Sequence, residues 1–277
     1  MNLTPVLSRE RVRHELAVRH LTVVRTEDLA PGLRRITLGG DLAGFSSLGP
    51  SDHVKVFFPD PRTGELHAPR MTPTGIERPE GVELISRDYT PRAWRADELD
   101  IDFVLHGDEG PASAWASAAQ PGAPIVVAGP RGSRLAPAGA DWHLIGSDET
   151  ALPAVARWLE TLSPDAVAAV LVEVPDAAHE VYLADAVRRG HTITWLHRDG
   201  AAPGTTTLLA DAVRALTLPD GLGFAWFGGE ATSLRAVRRH LRQQRGMDPA
   251  QVDVSGYWKC GTAGFDHHAP VDPDDPA

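Results

Sequence analysis

Hydrophobic positions in the first half of the chain fall into short runs, several of which alternate with polar positions. Leu99, Ile101 and Phe103 alternate with aspartates, for example, and such alternation is typical of a half-buried β-strand. Gly, Pro, Asp and Ser separate the runs, which favours short connections between neighbouring strands. The predicted strands are residues 20–25, 33–38, 53–58, 82–85, 99–105 and 124–128. Six such strands predict a small antiparallel barrel.

The pattern changes after a Gly- and Pro-rich segment at residues 129–139. Strands are then predicted at residues 142–145, 167–174, 193–196, 224–227 and 252–258, and helices at 152–162, 182–188, 208–216 and 234–244. This alternation predicts a parallel sheet with helices on both faces. We therefore predict a β + α/β protein with a six-stranded antiparallel barrel domain at 15–135 and a parallel-sheet α/β domain at 140–265. Residues 1–14 are interpreted as an N-terminal arm and residues 266–277 as a disordered tail.

Composition excludes several classes of function. The formal net charge of -10 disfavours a nucleic-acid surface, which needs clustered basic residues. The single cysteine, Cys260, excludes an internal disulfide or a cysteine-built metal centre, and the spacing of the histidines predicts no metal site. No run approaches the roughly 18 apolar residues of a membrane span, so no membrane insertion is predicted. Residues 1–20 lack the apolar core of a signal peptide, and we expect a cytoplasmic monomer.

The stretch from Arg87 to Arg92 carries the first candidate chemistry. In an extended segment, Arg87 and Tyr89 point to one face and Thr90 to the other. A flat anionic cofactor needs a cation for its phosphates, a ring against which it lies and a hydroxyl for a ring nitrogen. Flavin adenine dinucleotide (FAD) fits these needs. The alternative is a plain sheet edge with a surface arginine.

The next segment favours the cofactor interpretation. Gly110 and Pro111 mark a turn into a short helix, because proline suits the first helical position. The backbone N–H groups near Ala112 and Ser113 would then form an anion site at the helix start. A strand, an aromatic–hydroxyl pair and this helix start together predict a cofactor cradle.

The loops that follow the later strands offer a second set of candidates. No GxGxxG motif occurs there, and Asp148 and Glu149 would repel a pyrophosphate laid on the next helix start. A nicotinamide dinucleotide must therefore bind loosely or place its phosphates elsewhere. The candidate contacts are His197 and Arg198 for a 2′-phosphate, and Gly229 and Glu230 for a close backbone approach. Each of these could equally be an ordinary loop residue.

Trp258 and Lys259 follow the last predicted strand. Trp258 either belongs to an interdomain core or covers one face of the flavin. In the second case Lys259 would face an anionic substrate. Neither a Walker motif nor a GxSxG nucleophile motif is present in the sequence.

Several motifs, in this order along the chain, carry a resemblance to a known family. The first half contains Arg87-x-Tyr89-Thr90-x-Arg92, Asp102-Phe103-Val104-Leu105-His106-Gly107 and Gly110-Pro111-Ala112-Ser113-x-Trp115-Ala116. The second half contains Gly146-x-Asp148-Glu149-Thr150-Ala151-Leu152-Pro153-Ala154, Gly229-Glu230 with Arg235 and Arg238, and Gly256-Tyr257-Trp258. Over about residues 15–262 the chain resembles the siderophore-interacting proteins.

The resemblance implies an FAD-binding barrel and a nicotinamide-binding α/β domain of the ferredoxin-reductase-like superfamily. It also implies a reductase that passes electrons from NADPH, NADH or reduced ferredoxin through FAD to a ferric siderophore. Tyr89 and Thr90 would serve the chemistry. The implied cofactor contacts are Arg87, Asp88, Tyr89, Thr90, Val104, His106, Gly110, Pro111, Ala112, Ser113, Asp148, Thr150 and Trp258.

The substrate side departs from the family pattern. A basic cluster for an anionic siderophore is not evident in the sequence, and Arg92, Lys55 and Lys259 are the candidates that remain. Two other functions stay open. One is a flavin reductase that serves a partner oxygenase or another acceptor, and the other is a siderophore carrier without redox activity.

Overall fold

The computed structural model describes residues 7–106, 110–163 and 165–275. They form two compact units. The β unit spans Arg11–Leu135, and the α/β unit joins the segment that ends at Glu10 to the segment that begins at Ala136. No helix in the described part of the chain combines the length and the apolar character needed to cross a membrane.

Within the described residues, the β unit has eleven strands and one helix. They are β1 (Arg11–Arg13), β2 (Val18–Ala30), β3 (Leu33–Gly39), β4 (Val54–Phe57), β5 (Arg70–Thr72), β6 (Gly75–Glu77), β7 (Ser86–Tyr89), β8 (Pro91–Trp94), β9 (Glu98–Val104), α1 (Pro111–Ala118), β10 (Pro124–Ala128) and β11 (Gly132–Arg134). Strands β1 and β11 pair with each other, and β5 and β6 form a separate antiparallel hairpin. The other seven strands form one antiparallel sheet in the order β7-β4-β10-β2-β3-β9-β8.

The two edge strands of this sheet, β7 and β8, are consecutive in the chain and separated only by Thr90. Consecutive Cα atoms lie about 3.8 Å apart, so the sheet must curl until its two edges meet at Thr90. The predicted antiparallel N-terminal architecture is confirmed, but the main sheet has seven strands rather than six. The predicted strand at residues 82–85 is wrong, because the strand begins only at Ser86. Val82 is exposed, although Ile85 packs against the apolar cluster. The Arg87 stretch supplies two edge strands instead, with Pro91 at the first position of β8, where a missing N–H is tolerated.

The core of the β unit explains the alternation in β9. Leu99, Ile101 and Phe103 are completely buried in the apolar cluster inside the curled sheet. The intervening aspartates point to the other face, where Asp102 accepts two hydrogen bonds from Arg35 at 2.7 and 2.8 Å. Helix α1 packs onto the apolar cluster through its small residues, among which Ala116 is fully buried.

The α/β unit contains one parallel sheet in the order β14-β13-β12-β15-β16. Its strands are β12 (Trp142–Ser147), β13 (Val167–Val174), β14 (Ile193–His197), β15 (Gly223–Glu230) and β16 (Val252–Trp258). The helices are α2 (Leu152–Thr161), α3 (Ala184–Arg188), α4 (Leu208–Ala215) and α5 (Ala231–Arg239), with 3-10 turns at Glu149–Ala151, Ala177–Leu183 and Pro249–Gln251 and a π-helical turn at His240–Gln244. The predicted parallel α/β architecture is confirmed. The strand order reverses at β12, and in open α/β sheets ligands bind beyond the carboxyl ends of the strands at such a reversal.

The N-terminal arm packs onto the α/β unit. The Arg9 guanidinium lies 5.5 Å from the ring centroid of Trp158 and 5.2 Å from that of Phe224, and it forms an ion pair with Asp253. Such cation–π contacts are strongest where water is excluded, and the Arg9 side chain is only 2% exposed. The chain then enters the β unit at Arg11, so residues 11–14 of the predicted arm lie within the β unit.

The predicted disorder of the tail is wrong over residues 266–275. Val271 and Asp272 are buried, and Asp272 accepts hydrogen bonds from Arg239 on α5 at 2.5 and 2.8 Å. Asp275 forms a further ion pair with Arg238 at 3.3 Å. The acidic, Pro-rich composition suggested a solvated segment, but its carboxylates complement the arginines of α5. Residues 276–277 lie outside the described residues.

We expect Asp272→Asn to lower the free energy of unfolding of the α/β unit by more than Asp274→Asn does, because a charge-assisted pair between the buried Asp272 carboxylate and the half-exposed Arg239 guanidinium is lost. Urea denaturation followed by circular dichroism measures the change. Asp274→Asn is the matched control, since the Asp274 side chain is 83% exposed and also contacts Arg239. Equal effects of the two substitutions would contradict a specific role for the buried carboxylate.

Candidate functional site

Tyr89, at the end of β7, lies in a cluster of aromatic rings. Its ring centroid is 4.4 Å from that of Phe103 and 6.2 Å from that of Phe58, and Phe103 in turn contacts Trp115 of α1. Burial raises the pKa of the Tyr89 phenol above its ordinary value, partly offset by the charge of Arg87. The ring is therefore held firmly and stays neutral at physiological pH.

Arg87 and Thr90 flank Tyr89 at the point where the sheet edges meet. The Arg87 guanidinium donates to the Ser86 carbonyl at 2.7 Å, and no ion pair between Arg87 and a carboxylate is found within the described ranges. Thr90 is 6% exposed. A cation, a ring and a hydroxyl thus stand on three nearly consecutive residues, as the sequence predicted.

The start of helix α1 is the predicted anion site. Gly110 is the extended residue before the helix and gives no side-chain cap, and Pro111 occupies the first turn. The Ser113 hydroxyl accepts a hydrogen bond from the His106 N–H at 3.1 Å, which ties the helix start to the residues after β9. Val104 is the last residue of that strand. Backbone N–H groups at a helix start suit an anion, so the start of α1 near Ala112 and Ser113 stays a candidate for the phosphates of FAD.

Two of the predicted contacts pair with each other. Lys55 on β4 stands directly opposite Asp88 on β7, and the Lys55 Nζ donates to Asp88 Oδ2 at 2.7 Å. Lys55 is a predicted contact for an anionic substrate, and its positive charge is partly neutralised by Asp88. Arg92 lies in β8 and is half-buried.

Asp148 is the centre of the candidate site in the α/β unit. It directly follows β12, and its Oδ1 accepts hydrogen bonds from the backbone N–H of Thr150 at 2.9 Å and from the Thr150 hydroxyl. Its Oδ2 accepts from the Glu230 N–H and from the Trp258 indole Nε1–H, both at 2.8 Å. Burial, with a further contribution from the nearby charge of Glu149, raises the pKa of Asp148 to about 6. The folded chain therefore holds this proton more tightly than the unfolded chain, and ionisation of Asp148 costs stability as the pH rises from about 4 through 6.

A cleft opens beside Asp148 at the carboxyl ends of β12, β13 and β15. Its lining comprises Asp148, Glu173, Gly204, Thr206, Leu209, Ala210, Gly229, Glu230, Ser233 and Leu234. Gly229 and Glu230, predicted as loop residues, instead end strand β15 at a β-bulge. The Glu230 side chain caps α5 by accepting from the Ser233 N–H at 2.6 Å.

The predicted phosphate contacts of the α/β unit are engaged inside the unit. Both terminal nitrogens of Arg198 donate to Glu149, at 2.7 and 2.6 Å, and the Arg198 side chain is 3% exposed. His197 Nε2 lies 2.9 Å from Glu180 Oε1. This geometry does not support Arg198 as a 2′-phosphate contact, because a buried, bidentate ion pair already uses its donors. Lys259 is exposed, and its role stays a prediction.

Sequence reasoning missed Glu173, Thr206 and Ser233, which line the cleft. Thr206 donates to Glu173 Oε1 at 2.8 Å. Glu173 carried a usable signal, because it is the one charged residue in the otherwise apolar strand β13. Thr206 and Ser233 carried none, since hydroxyl residues are common in loops and first helical turns.

Comparison with known proteins agrees with both units. The model of the siderophore-interacting FAD-binding domain matches residues 22–134, and that of the siderophore-interacting protein matches residues 140–261. The chain is 42% identical to the NADPH-dependent ferric-chelate reductase of Escherichia coli, over 93% of this chain and 99% of that protein. It is 35% identical to the ferric vibriobactin reductase ViuB of Vibrio cholerae, over 88% of this chain and 90% of that protein.

A solved structure gives the same result. A siderophore utilization protein from T. fusca superposes with a TM-score of 0.85 at 42% identity, over 95% of this chain and all of that chain. The resemblance seen in the motifs therefore extends over both units and over the fold. The chain belongs to the siderophore-interacting protein family.

Proposed function

We propose that this protein is an FAD-dependent ferric-siderophore reductase that takes electrons from NADPH or NADH and delivers them to chelated Fe(III). The observation that carries the proposal is the placement of Arg87, Tyr89 and Thr90 at the junction of the two sheet edges. They lie within the region matched by the FAD-binding family model. The 42% identical relative, named for NADPH and a ferric chelate, supports the donor and the acceptor.

The β unit would hold FAD through its charged and dipolar groups. Arg87 has no carboxylate partner within the described ranges, and we assign it to the phosphates. The start of α1 at Ala112 and Ser113 would bind the pyrophosphate, with His106 near the ribityl chain. Phosphates are favoured at both places because the donors are already oriented.

Tyr89 and Thr90 would serve the flavin ring. The neutral Tyr89 ring is fixed by Phe103 and can flank the isoalloxazine, while the Thr90 hydroxyl can hydrogen-bond near its N5. Bound FAD supplies the conversion of a two-electron donor into single-electron steps, and the protein supplies binding and orientation. Reduced iron binds hard oxygen donors more weakly than ferric iron does, so reduction releases it from the chelate.

Fewer residues are candidate contacts for the substrate than for FAD. Lys55, Arg92 and Lys259 are the proposed contacts for an anionic siderophore, although Asp88 offsets the charge of Lys55. Reduced ferredoxin as an alternative donor, a monomeric state and a cytoplasmic location stay predictions.

The test is the visible absorption spectrum of the purified protein, recorded anaerobically during stepwise additions. We expect a yellow protein that bleaches on addition of NADPH or NADH and regains its colour with a ferric tris-catecholate. A ferrous-iron indicator dye would report the released iron. Ferric citrate is the comparison acceptor.

Other outcomes point to other functions. A flavin that neither nicotinamide nucleotide bleaches would contradict the proposed donor and favour ferredoxin. A flavin that bleaches but is reoxidised only by oxygen would favour a reductase that serves an oxygenase. A colourless protein that takes up no FAD would favour the alternative function, a siderophore carrier without redox activity.

Arg87→Ala should weaken FAD binding about tenfold or more, because a charge-assisted hydrogen bond is worth about 1.5–3 kcal/mol. Fluorescence titration of the apoprotein with FAD measures the dissociation constant. Arg62→Ala is the matched control, since Arg62 is an exposed arginine of the same unit that pairs only locally with Asp60. An unchanged FAD affinity in Arg87→Ala would remove Arg87 from the phosphate site.

Thr90→Ala should retain FAD but slow flavin reduction or reoxidation about fivefold, the effect of losing one hydrogen bond worth about 1 kcal/mol. Stopped-flow absorbance resolves the two half-reactions. Thr90→Ser keeps the hydroxyl and should restore the rates. If Thr90→Ala turns over at the wild-type rate, the hydroxyl has no role in the chemistry.

A further inference from the structure

Asp148 connects the ends of three neighbouring strands. It directly follows β12, its Oδ2 accepts from Glu230 at the end of β15, and the same oxygen accepts from Trp258 at the end of β16. Its other oxygen accepts from Thr150 at the start of the next turn. A carboxylate is the side chain that can accept at both oxygens without presenting a donor. An uncharged helix cap could satisfy Thr150 but not all of these donors.

The surroundings of Asp148 and Trp258 leave room only for glycine. A Cβ at Gly229, whose φ is +153°, would lie 2.7 Å from Asp148 Oδ2. A Cβ at Gly204 would lie 3.1 Å from Trp258 Cη2 and 2.8 Å from Glu230 Cγ. Both glycines line the cleft. The carboxylate and the indole are therefore packed directly against the cleft wall rather than extended into solvent.

The charges around Asp148 make its ionised form unfavourable, which argues against a purely structural role for this carboxylate. The acidic groups near it are Glu149 on its own turn, Glu173 at the end of β13 and Glu230 at the end of β15. The opposing cation is Arg198 after β14, which is committed to Glu149 and lies 3.6 Å from Glu173. A buried carboxylate with such neighbours is disfavoured as an ion, and groups of this kind are characteristic of functional sites.

The segment after β16 is fixed at two points of the cleft. Trp258 is bound by Asp148, and the Cys260 N–H donates to Glu230 Oε1 at 3.1 Å. The Glu230 backbone N–H in turn donates to Asp148 Oδ2. Asp148 therefore determines the position of the strand-end backbone and of the residues that follow it.

We propose that Asp148 is a positioning residue for the nicotinamide nucleotide, acting by holding the Trp258 indole and the Glu230 backbone at the edge of the cleft. This rests on the proposed function and replaces the sequence-based interpretation of Asp148 as a direct cofactor contact. The three carboxylates of the cleft wall disfavour the phosphates, so the wall suits the uncharged or cationic nicotinamide–ribose end of the nucleotide. Thr206 and Ser233 add hydroxyl groups to the same wall.

Protonation gives the arrangement a measurable signature. The protonated carboxyl presents one O–H donor, so it no longer accepts from all four partners. With Glu149, Glu173, Glu230 and Arg198 as the charged groups that face it, the Asp148 proton is taken up near pH 6. The environment of the Trp258 indole should change over that range, in protein with or without bound FAD.

The kinetic experiment compares Asp148→Asn and Trp258→Phe with the wild-type holoenzyme. We expect each substitution to raise the KM for NADPH about fivefold or more, the effect of one lost hydrogen bond. Reoxidation of the dithionite-reduced Asp148→Asn enzyme by ferric citrate should stay within about twofold of the wild-type rate, because that half-reaction does not use the nucleotide. The double variant should be no worse than the worse single variant, since both remove one interaction.

Asp176→Asn is the matched control. Asp176 lies two residues after β13 and caps the next turn by accepting from the Ala178 N–H at 2.9 Å, but it lies outside the lining of the cleft. The KM of the Asp176→Asn variant for NADPH should equal the wild-type value. A KM in Asp148→Asn equal to that of the control would overturn the proposal, as would equal losses in both half-reactions, which indicate a general loss of structure.

The apoprotein provides a readout that does not depend on turnover. Tryptophan fluorescence of the wild type, titrated between pH 4.5 and 8, should show a transition near pH 6 that is missing in Trp258→Phe. The same transition in Trp258→Phe and in the wild type would contradict the link, even if Asp148→Asn fails to fold. The proposed function fails separately, if NADPH does not bleach the wild-type flavin at all.

Discussion

The β unit depends on one topological constraint: the two edges of a seven-stranded sheet are joined by a single residue. A one-residue connection cannot span an open sheet, so the strands must curl, and the twist of antiparallel strands supplies the curvature. The apolar residues of β9 then face an enclosed interior, and its aspartates face the outside, where Arg35 and other basic groups pair with them. The candidate flavin residues lie at this junction because it is the one place where both sheet edges present side chains to the same region.

The α/β unit solves a different problem, which is to keep several carboxylates at one sheet edge. Arg198 neutralises Glu149 within the unit, and Asp148 is stabilised by neutral donors instead of a cation. Hydrogen bonds to an ionised group offset part of its desolvation, but they do not remove the repulsion from neighbouring charges. The result is a cleft whose wall carries three carboxylates, those of Asp148, Glu173 and Glu230. This wall also explains why a phosphate-binding glycine motif is absent from the turn after β12.

Much of the architecture could be predicted from the sequence, because period-2 and period-3.6 patterns directly report which side chains are buried. Strand β13 was predicted with its observed bounds at residues 167–174, since its apolar run is continuous. The sequence predicts the chemical importance of the Arg87 stretch but not its two short strands. Polar and apolar residues do not alternate regularly from Arg87 to Arg92, so no strand pattern is visible there. Arg198 was assigned to a ligand because its partner, Glu149, is 49 residues away and no local pattern reveals that pair. The prediction that the tail is disordered is wrong for the same reason, since the arginines that stabilise it lie on α5.

The packing of Arg9 has a consequence for the order in which the protein can be assembled. The three residues that surround its guanidinium, namely Trp158, Phe224 and Asp253, belong to the second half of the chain. During synthesis from the N-terminus, the β unit can fold while the arm has no binding site. The arm finds its site only after the last strand of the parallel sheet has left the ribosome. A segment that is made before both units is therefore among the last to reach its final position.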